Sequence, residues 1–447
     1  MKAIKVFSGA LKCLMNHLLD FLNQKKNFVK ISSADIHWVL TVPAIWNDGS
    51  KQFMRDAAEM AGIPSDLLTL ALEPEAAAFY CLFGTSQCLM ESSTKSVKYI
   101  LLHLGGGTAE IVCHELTSSG LLRELHEPTG GDFGGINVDS AFWQFILKLF
   151  GSQLLKDFKE QNTEDYMDLF ESFYRKKLTF DDSRPEESFP ISKTLLKKYE
   201  DYNGIPFNES LSQNHFGHLV KFINGKLVLK SQLIKDFFER PISQMKLYVE
   251  SLLNDPCCAG TSLLLMVGGF SESKYVQNNL KECFGKRLQV IIPRNPAAAV
   301  IKGAVYFGHN KRKISRRVSR YTDIHPEYKR ILIEGIAYVD DIFNIHIKRG
   351  DIIELNKDTA ALSYYPPMAH ITQVILPVYA STVTNPTFVD EENCRHVGNV
   401  IGELSDFARA DNMELLIKLI FSGTEIRVEL REKNTGRVIK GKVEFWG

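Results

Sequence analysis

Two stretches of this chain join glycine to the end of a strand in the way a phosphate-binding backbone does. Leu104-Gly105-Gly106-Gly107-Thr108 ends the apolar run from Val97, and Val267-Gly268-Gly269 ends Leu263-Leu-Leu-Met-Val267. Glycine has no Cβ, so consecutive amide groups can approach an oxyanion closely. A helix that starts after such a turn adds partial positive charge suited to phosphate. Tight packing alone also produces a strand-Gly-Gly-helix turn, so each stretch by itself leaves both readings open. Two of them, about 160 residues apart, are expected to face each other across a cleft and hold one nucleotide.

Other chemistry finds less support. The eight cysteines form no C-x-x-C pair, so zinc spacing is missing. Adjacent Cys257 and Cys258 are either redox-active or simply reduced cysteines beside a loop. Scattered cysteines fit a reducing compartment.

Alternating helix and strand signals must position the two turns. Residues 1–30 read as a helix, with Ile4, Phe7, Leu11, Leu14, Leu18 and Leu22 at helical spacing. Trp38 to Val42 reads as a strand, Lys51 to Met60 as a helix, and Pro74 opens another helix at its first turn. Val97 to Leu104 and Glu110 to Leu116 form a strand and its return, with Leu121 to His126 a third. The glycine-rich loop Gly130 to Gly135 leads into a helix over Asp139 to Phe150. Residues 151–260 read as mostly helical, with a strand at Lys226 to Lys230. A helix capped by Ser271 and stopped at Gly285, a strand at Val290 to Ile292, and a helix over Ala297 to Phe307 follow. Beyond about residue 330 the pattern alternates in strand fashion, at Ile342 to Ile347, His370 to Tyr379, Glu414 to Phe421, Glu425 to Leu430 and Val438 to Phe445, with a hairpin turn at Asn434-Thr435-Gly436.

The bulk numbers exclude some functions. With 447 residues the chain holds two or three domains. Lys plus Arg and Asp plus Glu are each 53, a net charge of zero, so no overall field draws it to nucleic acid. No run reaches the roughly 18 apolar residues of a membrane span, and no secretory signal appears. The basic stretch from Lys311 to Arg320 reads as a linker, with nuclear targeting or lipid binding as alternatives.

Five blocks, taken in order, resemble the heat-shock 70 kDa family, in particular its atypical 12A/12B branch. Thr41-Val-Pro-Ala-Ile-Trp-Asn-Asp48 is similar to the family's T-V-P-A-Y-F-N-D block, and Leu72-Glu-Pro-Glu-Ala-Ala-Ala78 to its first connecting motif. His103-Leu-Gly-Gly-Gly-Thr-Ala-Glu110 resembles its second phosphate loop, and Val267-Gly-Gly-Phe-Ser-Glu272 its adenosine motif. Asn295 to Ala304 resembles the second connecting motif, and Lys51-Gln-Phe-Met-Arg55 with Ala71 to Ala76 favours the branch. The resemblance implies an α/β, actin-like (ribonuclease H-like) two-lobed ATPase fold lacking its N-terminal strands, followed by a β-rich domain. Residues 1–96 would be the remainder of lobe I, 97–310 lobe II with the helix returning to lobe I, 311–330 a basic linker and 331–447 a substrate-binding β-domain.

The resemblance also implies roles. Gly105, Gly106, Gly107 and Thr108 would cradle the β- and γ-phosphates, and Gly268 and Gly269 would approach the adenosine and α-phosphate. Glu73 matches a family carboxylate near the metal and Glu110 replaces a family aspartate with its charge kept, which makes both the catalytic candidates, and Pro43 with Lys51 match an interlobe signalling pair. Lys51 replaces an arginine, which is not a neutral exchange. Phe173 to Lys177 is the best match to the adenine helix, with Tyr174 at a glutamate position and Lys177 at a lysine position; a solvated helix face is the alternative. ATP or ADP with magnesium is the implied cofactor, and client or signalling proteins are the implied partners, in the cytoplasm or nucleus and in a stress response.

Departures from the family set the expectation for activity. Neither a D-x-G-T-T loop nor the catalytic lysine is found in the sequence, and His103 stands where the family has aspartate. Phosphoryl transfer depends on charge placed around the phosphates, so hydrolysis is expected to be weak or lost. A non-enzymatic interaction scaffold is the alternative, and a sugar kinase of the same superfamily a third.

Overall fold

A computed structural model describes residues 2–25, 30–46, 48–83, 96–213 and 216–309, and beyond them 314–318, 330–333, 336–339, 352–354, 361–364, 373–382, 394–403, 415–422, 425–433 and 435–442. The chain forms two compact units, 1–97 with 113–127 and 301–447, and 98–112 with 128–300.

The first unit begins with α1 (Ala3–Lys25), β1 (Trp38–Val42), α2 (Asp48–Ala61), β2 (Leu68–Leu72) and α3 (Glu73–Phe83). Strands β1 and β2 pair in parallel from Trp38↔Leu68 to Val42↔Leu72. β2 is an addition to the elements expected from sequence. Leu11, Met15 and Leu19 of α1 pack on Ala58 of α2 and on Trp38 and Leu68 of the strands. The packed face is therefore not the one the spacing suggests: of the residues read at helical spacing, Phe7, Leu14 and Leu18 are exposed, as are Val6 and Phe21.

The second unit holds β9 (Leu263–Val267), β10 (Gln289–Ile291), nearly all of β3 (Val97–Leu104), the first half of β4 (Ala109–Leu116) and the end of β5 (Leu122–Gly131). These strands lie in the order β10-β9-β3-β4-β5. β10 pairs parallel to β9, and β9 parallel to β3. All of Leu263 to Val267 is buried, which is why this strand reads as a continuous apolar run rather than an alternation. The helices are α4 (Ile136–Phe150), α5 (Ser152–Gln161), α6 (Thr163–Thr179), α7 (Lys193–Asn203), α8 (Phe207–Gln213), α9 (Ser231–Asn254) and α10 (Lys274–Phe284). The segment expected as mostly helical holds the expected strand, β8 (Lys226–Lys230), and two more, β6 (Glu186–Pro190) and β7 (Val220–Ile223); the three form a sheet in the order β6-β8-β7.

An aromatic core joins these elements. Phe142 of α4 stacks on Phe173 of α6 with ring centroids 3.9 Å apart, and Phe189 of β6 and Phe237 of α9 lie 5.7 and 6.0 Å away. Burying one such ring contributes about 1.5–3 kcal/mol, so this cluster fixes α6 against α4. A second group, Phe180, Phe238, Phe270 and Tyr275, ties α9 and α10 to the residue after Gly269.

α11 (Ala299–His309) follows a short 3-10 turn at Pro296–Ala298, so it starts two residues later than its sequence pattern suggests. Within the first unit its Gly303 meets α3 so closely that an added Cβ would stand 1.6 Å from the carbonyl oxygen of Ala76. Beyond it every described element is a strand. β11 (Ile314–Val318) lies within the expected basic linker and pairs with β5 and β14 (Ile352–Glu354). β12 (Arg330–Ile333) and β13 (Ile336–Val339) form a hairpin, and β15 (Leu362–Tyr364), β18 (Leu415–Ser422), β19 (Glu425–Glu432) and β20 (Val438–Lys442) an antiparallel sheet. β16 (Gln373–Ser381) pairs with β17 (Cys394–Glu403). The strand expected at Ile342 to Ile347 lies outside the described residues. Among the described residues no helix is long and apolar enough to cross a membrane.

Candidate functional site

The first glycine turn closes the β3–β4 hairpin through one bond, from the Gly105 amide to the Thr108 carbonyl at 2.9 Å. A second loop holds it from the other side. The amides of Gly134, Gly135 and Ile136 donate to the carbonyls of Gly107, Gly105 and Gly106 at 3.2, 3.1 and 2.8 Å. All three carbonyls of the glycine run are thereby fixed. Gly106 and Gly107 are exposed, and their amides meet no protein acceptor among the described residues. The N-terminus of α4, fifteen residues long, starts in that holding loop, so its partial positive charge lies beside the turn.

Glycine at 134 is dictated by contact: an added Cβ would stand 2.5 Å from the Gly106 oxygen and 2.7 Å from the Gly107 carbonyl carbon. Gly134 and Gly135 were not among the expected site residues. Their signal was present in Gly130-Gly131-Asp132-Phe133-Gly134-Gly135, a glycine-dense loop opening a helix.

The second turn corrects the expected geometry. β9 pairs with β3 in parallel with Val267 opposite His103, so the two turns leave the same edge of one sheet side by side. They do not face each other. Gly268 has φ +91°, and an added Cβ would stand 2.3 Å from the Leu104 oxygen. Its amide donates to the Pro296 carbonyl at 2.8 Å. The residues that follow, Gly269–Glu272, form a 3-10 turn, and α10 begins only at Lys274. Ser271, expected as a helix cap, instead donates from Oγ to the Val267 carbonyl at 2.7 Å. Gly269 is exposed, with nothing within 4 Å of an added Cβ.

Lys177 forms the wall behind the holding loop. It is 4% exposed, so a solvated helix face does not describe it. Its Nζ donates to both carboxylate oxygens of Asp139, at 2.8 and 2.7 Å, and to the Gly135 carbonyl at 3.2 Å. These partners use the three donors of an ammonium. Lys177 therefore positions the first turn of α4, and Asp139 is the partner that sequence reasoning missed.

His103, at the end of β3, places Nδ1 3.4 Å from Glu110 Oε2 on β4. His103 is 8% exposed and Glu110 fully buried. Glu73, Pro43 and Lys51 belong to the first unit. Glu73 opens α3, Pro43 follows β1 and Lys51 lies buried in α2.

Parallel strands ending in glycine turns at one sheet edge, with a helix N-terminus beside them, define a phosphate-binding type of α/β fold. Comparison with known proteins makes this specific. A profile of the family described as Hsp70 protein matches residues 20–364, and the chain belongs to that family and carries its actin-like ATPase fold. It is similar to heat shock 70 kDa protein 12B of Homo sapiens, 27% identical over 100% of this chain and 75% of the relative. Heat shock 70 kDa protein 12A of Mus musculus is 25% identical over 99% of this chain and 75% of its own length. Chaperone protein DnaK of Thermosipho melanesiensis is 25% identical over 60% of this chain and 39% of the relative.

Proposed function

We propose that this chain binds ATP or ADP at Gly105–Thr108 and Gly268–Gly269 and works as a chaperone-like protein on client or signalling proteins, with hydrolysis weak or lost. One observation carries the reading. Gly107 and Gly269 are exposed, take no left-handed backbone and have nothing within 4 Å of an added Cβ. The fold does not require glycine there, whereas phosphate on a bare backbone does. Phosphate oxygens would accept from the Gly106 and Gly107 amides, and the α4 N-terminus would add to the attraction.

The same geometry favours holding over cleaving. Phosphoryl transfer needs charge placed on the transferring group, and the ammonium of Lys177 is committed to Asp139 and Gly135. Magnesium prefers an octahedron of oxygen ligands. His103 brings an imidazole rather than an oxygen to the buried carboxylate of Glu110, so the metal is proposed as the counter-ion carried by the nucleotide's own phosphates.

The test is thermal unfolding of the full chain with magnesium-ADP or magnesium-ATP. Ligand at 100 times its Kd adds about 2.7 kcal/mol, a rise of roughly 2–4 °C per kcal/mol. The expected result is a saturable rise that Gly106→Asp removes, since a charged side chain then occupies the anion position. No rise in a folded sample would leave the interaction-scaffold reading in its place.

A further inference from the structure

Helix α1 has two apolar faces, and its own unit covers one of them. Ser8 and Met15 are buried, and Leu11, Met15 and Leu19 pack on the core of the first unit. The second face follows another period. Ile4, Phe7, Leu11, Leu14, Leu18 and Phe21 recur at alternating steps of three and four, a seven-residue repeat kept over eighteen residues. A period of 3.5 residues is the seam of a coiled coil, narrower than the stripe a helix buries against a globular core. Along that seam Phe7, Leu14, Leu18 and Phe21 are exposed, Leu14 by 68%. Charge selects what fits there. From Ile4 to Phe21 the charged residues are Lys5, Lys12 and Asp20, each at a position of the repeat turned from the seam. Beside the seam stand Ser8, Met15 and Leu22 on the core side and Ala10 and His17 on the open side. Flanking charges choose or reject a partner helix in a coiled coil. Without them a second copy meets no like charge, and a charged partner finds no counter-charge. Two lysines offset by one aspartate also give an anionic membrane little to attract.

We propose that α1 pairs with α1 of a second copy of this chain in a closed, antiparallel two-helix contact. Run in reverse, the seam mates with itself. Leu11 meets the partner subunit's Leu14, Phe7 meets the partner subunit's Leu18, and Ile4 meets the partner subunit's Phe21. The same patch serves on both subunits, so the contact closes at two copies. Opposed helix dipoles add to the pairing. A coil this short would not form from isolated peptides, because helix nucleation is costly. Here α2 and the strands β1 and β2 already hold the helix, so association has only side chains left to order.

The experiment is sedimentation equilibrium of the full chain over a concentration series, repeated on Leu14→Glu, Leu18→Glu and Leu247→Glu, the last a comparably exposed leucine of α9. The wild type is expected to reach the mass of two 50.6 kDa copies and to stop there. Leu14→Glu and Leu18→Glu are expected to stay at one copy, with the circular dichroism and unfolding temperature of the wild type, because both positions lie in water in the single chain. Leu247→Glu is expected to pair as the wild type does. A wild type at one copy throughout overturns the proposal, as does a pair that persists in both seam variants. A mass that climbs past two copies overturns the closed contact. Vesicles of phosphatidylcholine and phosphatidylserine test the other occupant. A wild type that stays at one copy and floats with them, with flotation lost in Leu14→Glu, gives the face to lipid and overturns the pairing.

Discussion

Glycine serves opposite purposes at the α3–α11 crossing and at the edge of β3 and β9. At the crossing Gly303 lets a helix touch the main chain of Ala76, with no room for another atom. At the sheet edge Gly107 and Gly269 have open space where a side chain would be. Between these extremes stand Gly134 and Gly268, which press on main chain and so hold the open glycines in position. A glycine whose added Cβ would collide serves packing. An open glycine set among fixed main-chain groups, unlike Gly9 on the exposed face of α1, leaves room for a ligand.

The sharpest way to break the comparison is Gly303→Ala. A Cβ against a main-chain oxygen must push α11 from α3, and a loss of about 3 kcal/mol is expected in urea unfolding. Cys81 supplies a local readout. Burial pushes its thiol up to about 12, so at pH 8 it stays a thiol and resists alkylation while exposed Cys13, Cys257 and Cys283 react. In Gly303→Ala, Cys81 should become reactive. Unchanged protection and stability would mean that the crossing is looser than it looks.

Gly107→Ala is the counterpart. Its stability should stay within about 0.5 kcal/mol of wild type, while nucleotide affinity falls by about 1.5–3 kcal/mol, the worth of one hydrogen bond to a charged group. Loss of stability with intact affinity would reverse the assignment. The smallest effect belongs to a control remote from both places. The Arg287 guanidinium, bonded to Glu250 at 2.9 Å, holds that carboxyl below its ordinary range. A lowered folded-state value contributes stability above the unfolded value and loses it as pH falls through the folded one. The difference between wild type and Arg287→Ala should thus be small at neutral pH and vanish in strong acid, with the Gly303→Ala loss persisting.

Much of this was legible because it is local. Val97 to Leu104 and Leu263 to Val267 read as strands from their apolar runs, and both glycine turns stand out as composition. What needed the fold was non-local. That β9 lies beside β3 is a pairing across more than a hundred and fifty residues, and no period in the sequence encodes it. Lys177 reads as part of a charged run, Arg175-Lys176-Lys177, and only the packing of Phe173 against Phe142 turns it inward. β2 escaped because Leu68 to Leu72 runs directly into Glu73 with no turn residue between. The Ser271 cap failed because a 3-10 turn intervenes before α10.

The edge formed by Gly105–Gly107 and Gly268–Gly269 presents peptide groups and almost no side chains. Truncating side chains has nothing there to remove, and at these glycines an alanine acts by the methyl it adds. Such a surface can only be silenced by addition, and its mutational profile would be one-sided: tolerant around it, intolerant of any atom gained within it.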